Sequence, residues 1–212
     1  LRLRPEGGKG LLVRTYDGFR AYSENDMELW ERFALGEARL ICGSSEALEL
    51  VMLSAFPRAI SDDEIDELLC MKKRIENERV DDAVRYRQIK LGYGGLNDIE
   101  WLTHLYEMRF PDRMIPGSST RIADRIGLML SNGFLDQEQS RMLNAGLMRL
   151  QTLRNQMRLF GWTDDILPDQ QYRANQLALA VGERSGKALL DKHQVLAHGI
   201  RMLYEEKVAS VR

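Results

Sequence analysis

The sequence predicts a mainly α protein, a small N-terminal β-hairpin followed by an α-helical bundle, and three observations lead there. Leu1-Arg2-Leu3-Arg4 alternates apolar and basic residues, and Leu11-Leu12-Val13-Arg14 resumes an apolar run after the turn-rich stretch from Pro5 to Gly10. From Phe19 onward the apolar spacing becomes helical, through Tyr22, Met27, Trp30, Phe33, Ala34 and Ala38. The later periodic segments are separated by glycine, proline and capping residues, which is the pattern of a bundle.

The elements follow in order. Cys42-Gly43-Ser44-Ser45 reads as a helix stop and a new N-cap, because glycine tolerates the left-handed conformation and a serine hydroxyl can accept from an orphan amide. The next helix covers 46–56 and Pro57 ends it, which places a domain boundary near 57 and gives units 1–57 and 58–212. Ser61 and Glu64 have capping-box spacing and open a helix through Leu68, Met71 and Ile75 towards Arg79. The glycine-dense Leu91-Gly92-Tyr93-Gly94-Gly95-Leu96-Asn97 is a loop, with Asp98 expected to cap a helix over 99–108. Further helices are expected over 120–131, 136–160, 172–181 and 185–208.

Composition limits what the chain can do. Thirty basic against 32 acidic side chains leave a formal charge of −2, so no long-range field argues for a nucleic-acid or membrane surface. Cys42 and Cys70 lack the spacing of a zinc site or a disulfide framework, and no run approaches a membrane span, so a cytoplasmic protein is expected. The chain opens on strand-like sequence without an initiator Met, which reads as a fragment of a longer protein.

Arg2 and Arg4 lie on one face of a strand, because strand side chains alternate with period two. Two guanidinium groups can grip one phosphate, and Gly7 and Gly10 let a backbone approach a nucleotide closely, although the same spacing also fits a solvated edge strand. Asp98 and Glu100, two residues apart at a helix start, point in different directions: one can cap while the other favours the positive helix end or turns towards a neighbouring unit. His104, His193 and His198 form no metal box. Trp30, Trp101 and Trp162 read as packing residues, and Arg121, Arg125, Arg149, Arg154 and Arg158 as solvated helix faces paired with acids.

Several of these strings together resemble glutamine synthetase adenylyltransferases, which are large enzymes with two nucleotidyltransferase halves. The matching residues are Arg2-Leu3-Arg4-Pro5 with Gly7 and Gly10, Trp30-Glu31, Ala34, Ala38-Arg39, Gly43, Met71-Lys72-Lys73-Arg74-Ile75, Lys90, Gly94-Gly95-Leu96, Asp98-Ile99-Glu100-Trp101 and Leu167-Pro168. Glu37 departs from the family, which usually carries a basic residue there. The resemblance makes the hairpin the remnant of a nucleotidyltransferase sheet and implies AMP transfer from ATP, with Mg²⁺, to a tyrosine of glutamine synthetase, or phosphorolytic removal of that AMP. It implies no catalytic residue within this chain, the acidic triad being expected upstream of Leu1. It also implies nucleotide contacts from Arg2, Arg4, Gly7 and Gly10, cleft or inter-domain places for Arg39, Lys90, Gly94, Gly95, Asp98 and Glu100, and the PII signalling protein as a regulatory partner. The competing expectations are a non-catalytic helical module sensing PII or glutamine, and a PII uridylyltransferase-like protein.

Overall fold

The fold is that of a computed structural model, which describes residues 13–116 and 121–211. The predicted hairpin and its Arg2, Arg4, Gly7 and Gly10 lie outside the described residues, apart from Val13 and Arg14, which belong to no strand. Among the described residues β pairing is limited to one antiparallel bridge, Gln88 with Ile166, and the rest of the regular structure is helical.

The first three helices, α1 (Tyr16–Asn25), α2 (Leu29–Leu35) and α3 (Ser45–Ala55), pack on one another. Periodicity alone runs on from α1 into α2, but the chain breaks between them because Glu28 and Glu31 form a capping box that starts α2 afresh. Tyr22 of α1 donates its hydroxyl to the Glu31 carboxylate and ties the two helices together.

The helix α4 (Asp62–Arg79) opens on the expected box: Glu64 N donates to Ser61 Oγ, and Glu64 accepts in return from Ser61 N at 2.9 Å. Arg58 grips the same carboxylate with both terminal nitrogens, at 2.7 and 2.9 Å, and Arg32 of α2 reaches it at 3.1 Å. The hydrogen bonds from Arg58 hold the Glu64 carboxyl down to about 2 against the opposing effect of burial.

The remaining helices are α5 (Leu96–Arg109), the short α6 (Pro111–Met114), α7 (Ile122–Ser131), α8 (Gln137–Leu159), α9 (Gln171–Ala180) and α10 (Gly186–Ser210). Asp136 and Ser185 cap α8 and α10 as their sequence positions suggest. α5 is the centre of this bundle, in contact with α6, α7, α8 and α10, and residues 96–108 are buried except Glu100. Ile99, Leu102 and Leu105 have no more than 1% exposure and join Ile126, Leu150 and Ile200 in one apolar core, each such side chain stabilising the fold by about 1.5–3 kcal/mol.

His193 of α10 is buried, and its Nε2–H donates to the Tyr86 carbonyl at 2.8 Å. Burial lowers its pKa from 6.5 to about 4. Between these values the unfolded chain binds the extra proton, so the contribution is complete above pH 6.5 and is lost as the pH falls to about 4. Urea titrations at both pH values are expected to show His193→Gln losing less stability on acidification than the parent, by up to about 3 kcal/mol. Equal losses would refute this account.

Candidate functional site

The glycine turn before α5 is built by its own backbone. Leu96 N donates to the Ile89 carbonyl at 3.0 Å, Asn97 N donates to the Lys90 carbonyl at 2.9 Å, and the Gln88 side-chain oxygen accepts from Lys90 N and Leu91 N. Ile89 N also donates to the Asp165 carbonyl, and Leu167 N to the Arg87 carbonyl, both at 2.9 Å. Leu167 thus lies directly beside the turn, although the sequence separates them widely.

Gly94 has φ +68°, and a Cβ there would lie 1.9 Å from the Ala197 carbonyl oxygen of α10. A Cβ on Gly95 would stand about 3 Å from the carbonyls of Gly92, Ile89 and Lys90. Gly94 therefore serves close approach of the turn to α10, and Gly95 close packing within the turn itself.

Asp98 departs from the sequence expectation. α5 begins at Leu96 with Gly95 as its N-cap, so Asp98 sits in the first turn and is completely buried. Its Oδ2 accepts from Gly94 N at 2.8 Å, and its Oδ1 meets Lys72 Nζ of α4 at 2.5 Å. Arg201 of α10 reaches Asp98 at 3.3 Å and Glu76 at 2.9 Å, while Lys72 also bonds Glu76. The Arg201 guanidinium covers the Tyr93 ring at 3.9 Å, and the Lys72 ammonium covers the Tyr204 ring at 4.6 Å. Two cations and two carboxylates neutralise one another here and join α4, α5 and α10.

The opposite side of α5 carries Glu100, His104 and Glu107, spaced so that they share one helical face. Phe33 and Gly36 of the α2 region bear on that face: Phe33 meets His104 edge-on at 4.4 Å, and a Cβ on Gly36 would stand 2.0 Å from the His104 ring. Arg125 of α7 has 2% exposure, which corrects its expected place on a solvated face. It pairs with Glu37 at 2.5 Å and lies 3.3 Å from Glu107. Glu37, whose charge departs from the family, therefore serves a seam between the α2 region and the bundle.

Glu100 itself is half-buried at the edge of this seam. Burial first, and then the Glu37 charge, raise its pKa, while Lys90, Arg154 and Arg125 act in the other direction. Arg154 of α8 donates Nε–H to Asp165 at 3.1 Å, and Arg158 meets the same carboxylate at 2.7 Å. The seam thus gathers Lys90 and Glu100 with Arg125 and Arg154, two arginines read from the sequence as solvated. Arg39 stands apart as an exposed residue. Of the tryptophans, Trp101 is buried against Phe33 as expected, at 4.4 Å between rings, whereas Trp30 is 40% exposed.

Residues 69–207 match a family model described as GlnD PII-uridylyltransferase, and residues 1–52 match one described as glutamate-ammonia ligase adenylyltransferase. A protein of Corynebacterium diphtheriae named bifunctional glutamine synthetase adenylyltransferase/adenylyl-removing enzyme is 32% identical over 95% of this chain and 19% of its own length. The chain belongs to the glutamine synthetase adenylyltransferase family, with a helical part of the GlnD PII-uridylyltransferase type. Relatives with the same name in Streptomyces coelicolor and Mycobacterium leprae are 28% and 30% identical, over 96% and 90% of this chain and 21% and 20% of their own lengths. The chain therefore spans about a fifth of the length of these adenylyltransferase relatives. The uridylyltransferase alternative weighed from the sequence meets this family in the helical bundle.

Proposed function

We propose that the chain is part of a bifunctional glutamine synthetase adenylyltransferase, and that its parent transfers AMP from ATP to a tyrosine of glutamine synthetase or removes that AMP by phosphorolysis. The observation that carries this reading is the continuous likeness to adenylyltransferases, which runs through both the α1–α3 region and the bundle in one alignment of 209 residues. In this reading residues 1–57 are the end of a nucleotidyltransferase unit and 58–212 a helical domain. The two family models, which change over between 52 and 69, favour such a division.

Nucleotidyl transfer is mostly positioning and charge neutralisation. By the family resemblance Arg2 and Arg4 would contact phosphate, with Gly7 and Gly10 beside the nucleotide, and Lys90 and Glu100 would have cleft or inter-domain places. Mg²⁺ belongs to the reaction by family resemblance. Among the described residues no group of His, Cys, Asp and Glu could hold a metal ion, and no step is assigned to one here. PII is the proposed regulatory partner and the cytoplasm the proposed location; no helix among the described residues is long and apolar enough to cross a membrane.

The test is to incubate the full-length protein carrying this chain with glutamine synthetase or with PII, supplying labelled ATP or UTP and Mg²⁺. Label is expected on glutamine synthetase from ATP. Label on PII from UTP would transfer the protein to the uridylyltransferases, and label on neither acceptor would leave the helical binding module.

A further inference from the structure

Partly buried charges in this protein are generally neutralised. Lys72 and Arg201 meet Asp98 and Glu76, Arg149 meets Glu183, and Arg32 meets Glu64. Leaving such a charge without a partner costs desolvation energy that nothing returns.

The seam beside α5 departs from that pattern. Among the described residues the Glu100 carboxylate and the Lys90 ammonium, both half-buried, make no hydrogen bond or ion pair. Arg154 bonds Asp165 through Nε alone, which leaves its two terminal nitrogens unengaged among the described residues.

One hydrogen-bonded strip brings together the backbone segments that carry these groups. The Lys90 carbonyl accepts from Asn97, less than one helical turn before Glu100, and the adjacent Ile89 amide donates to the Asp165 carbonyl. The Asp165 carboxylate in turn holds Arg154. Glu100 feels both cations, yet neither lies within ion-pair distance. Unpaired charges so placed can take up a bound group of matching charge.

We propose that Lys90, Glu100 and Arg154 form a contact set for a nucleoside monophosphate group, Lys90 and the free end of Arg154 taking the phosphate and Glu100 accepting from the sugar hydroxyls. The assignment rests on the nucleotidyl-transfer reading above, and it places the bundle in contact with the nucleotide. Two cations match a phosphate dianion, and guanidinium nitrogens fit its oxygens. A carboxylate beside a phosphate would repel it, but one directed at a vicinal diol accepts hydrogen bonds that only a sugar supplies.

The test is calorimetric titration of AMP, its 2′,3′-dideoxy analogue and inorganic phosphate into the 212-residue chain. AMP is expected to bind. Lys90→Met and Arg154→Gln are expected to weaken AMP and phosphate alike by about tenfold or more, the loss of a charge-assisted contact. Glu100→Gln, which is nearly isosteric, is expected to weaken AMP alone and leave the dideoxy analogue and phosphate unchanged. Circular dichroism melts would check that each variant is folded. Failure of the parent chain to bind AMP, or a Glu100→Gln variant that binds all three ligands as the parent does, overturns the contact set. If the full-length protein still labels glutamine synthetase from ATP, only the contact set is lost; if that labelling fails, the nucleotidyl-transfer reading is lost.

Discussion

Replacing Asp98 by Ala is expected to cost the fold about 3–5 kcal/mol, read as a lower urea midpoint at neutral pH. The carboxylate is fully buried and serves three donors at once, the Gly94 amide, Lys72 and Arg201. Removing it leaves Lys72 with Glu76 as its remaining counter-ion, which Arg201 must share. The same reasoning predicts that the double variant Lys72→Met with Asp98→Leu is less damaging than Asp98→Ala, because it withdraws one charge of each sign and leaves Arg201 and Glu76 paired. A loss below about 1 kcal/mol in Asp98→Ala would show that water replaces the carboxylate and that the network contributes little.

Gly94→Ala is expected to be comparably severe for a different reason. The residue sits at φ +68°, where a side chain costs about 1–3 kcal/mol, and its new Cβ would collide with the Ala197 carbonyl, adding overlap of about 1–3 kcal/mol or forcing α10 away. The control is Gly133→Ala, which shares the backbone conformation at φ +73° but has open space around its Cβ. That variant is expected to lose only the strain. Thermal melts of the two side by side separate backbone conformation from close approach, and equal destabilisation would show that contact with α10 has no part in it.

Much of the helical architecture was legible in the sequence because its starts are chemically marked. Ser61 with Glu64, Asp136 with Gln139, and Ser185 each supply an oxygen for an orphan amide, and each stands at the helix start assigned to it. α6 was not legible, since four residues opened by Pro111 carry no periodicity. The start of α5 was placed late because Asp98 can cap a helix and so can Gly95, and the choice turns on the contact of Gly94 with α10.

The site was legible only in part. Lys90, Gly94, Gly95, Asp98 and Glu100 were singled out from the sequence, and the structure places all five around the first two turns of α5. Lys72, Arg125 and Arg201 were not assigned to it. Their partners lie 26, 88 and 103 residues away, beyond the reach of any local spacing, and of the three only Arg125 was read, as a solvated helix face. Identity could not reveal burial here, because a guanidinium can enter a core once distant carboxylates meet it.

The near-complete enclosure of α5 changes what likeness along its motif can tell. Gly94 is held by contact with α10, Asp98 by its ion network and Trp101 by its tilted ring contact with Phe33, so shared letters at those positions report a common scaffold whatever the reaction. Glu100 alone in that string is spared such duty. A change at that carboxylate or at the cations around it would therefore report a change in what the seam holds, while the letters on either side stay the same.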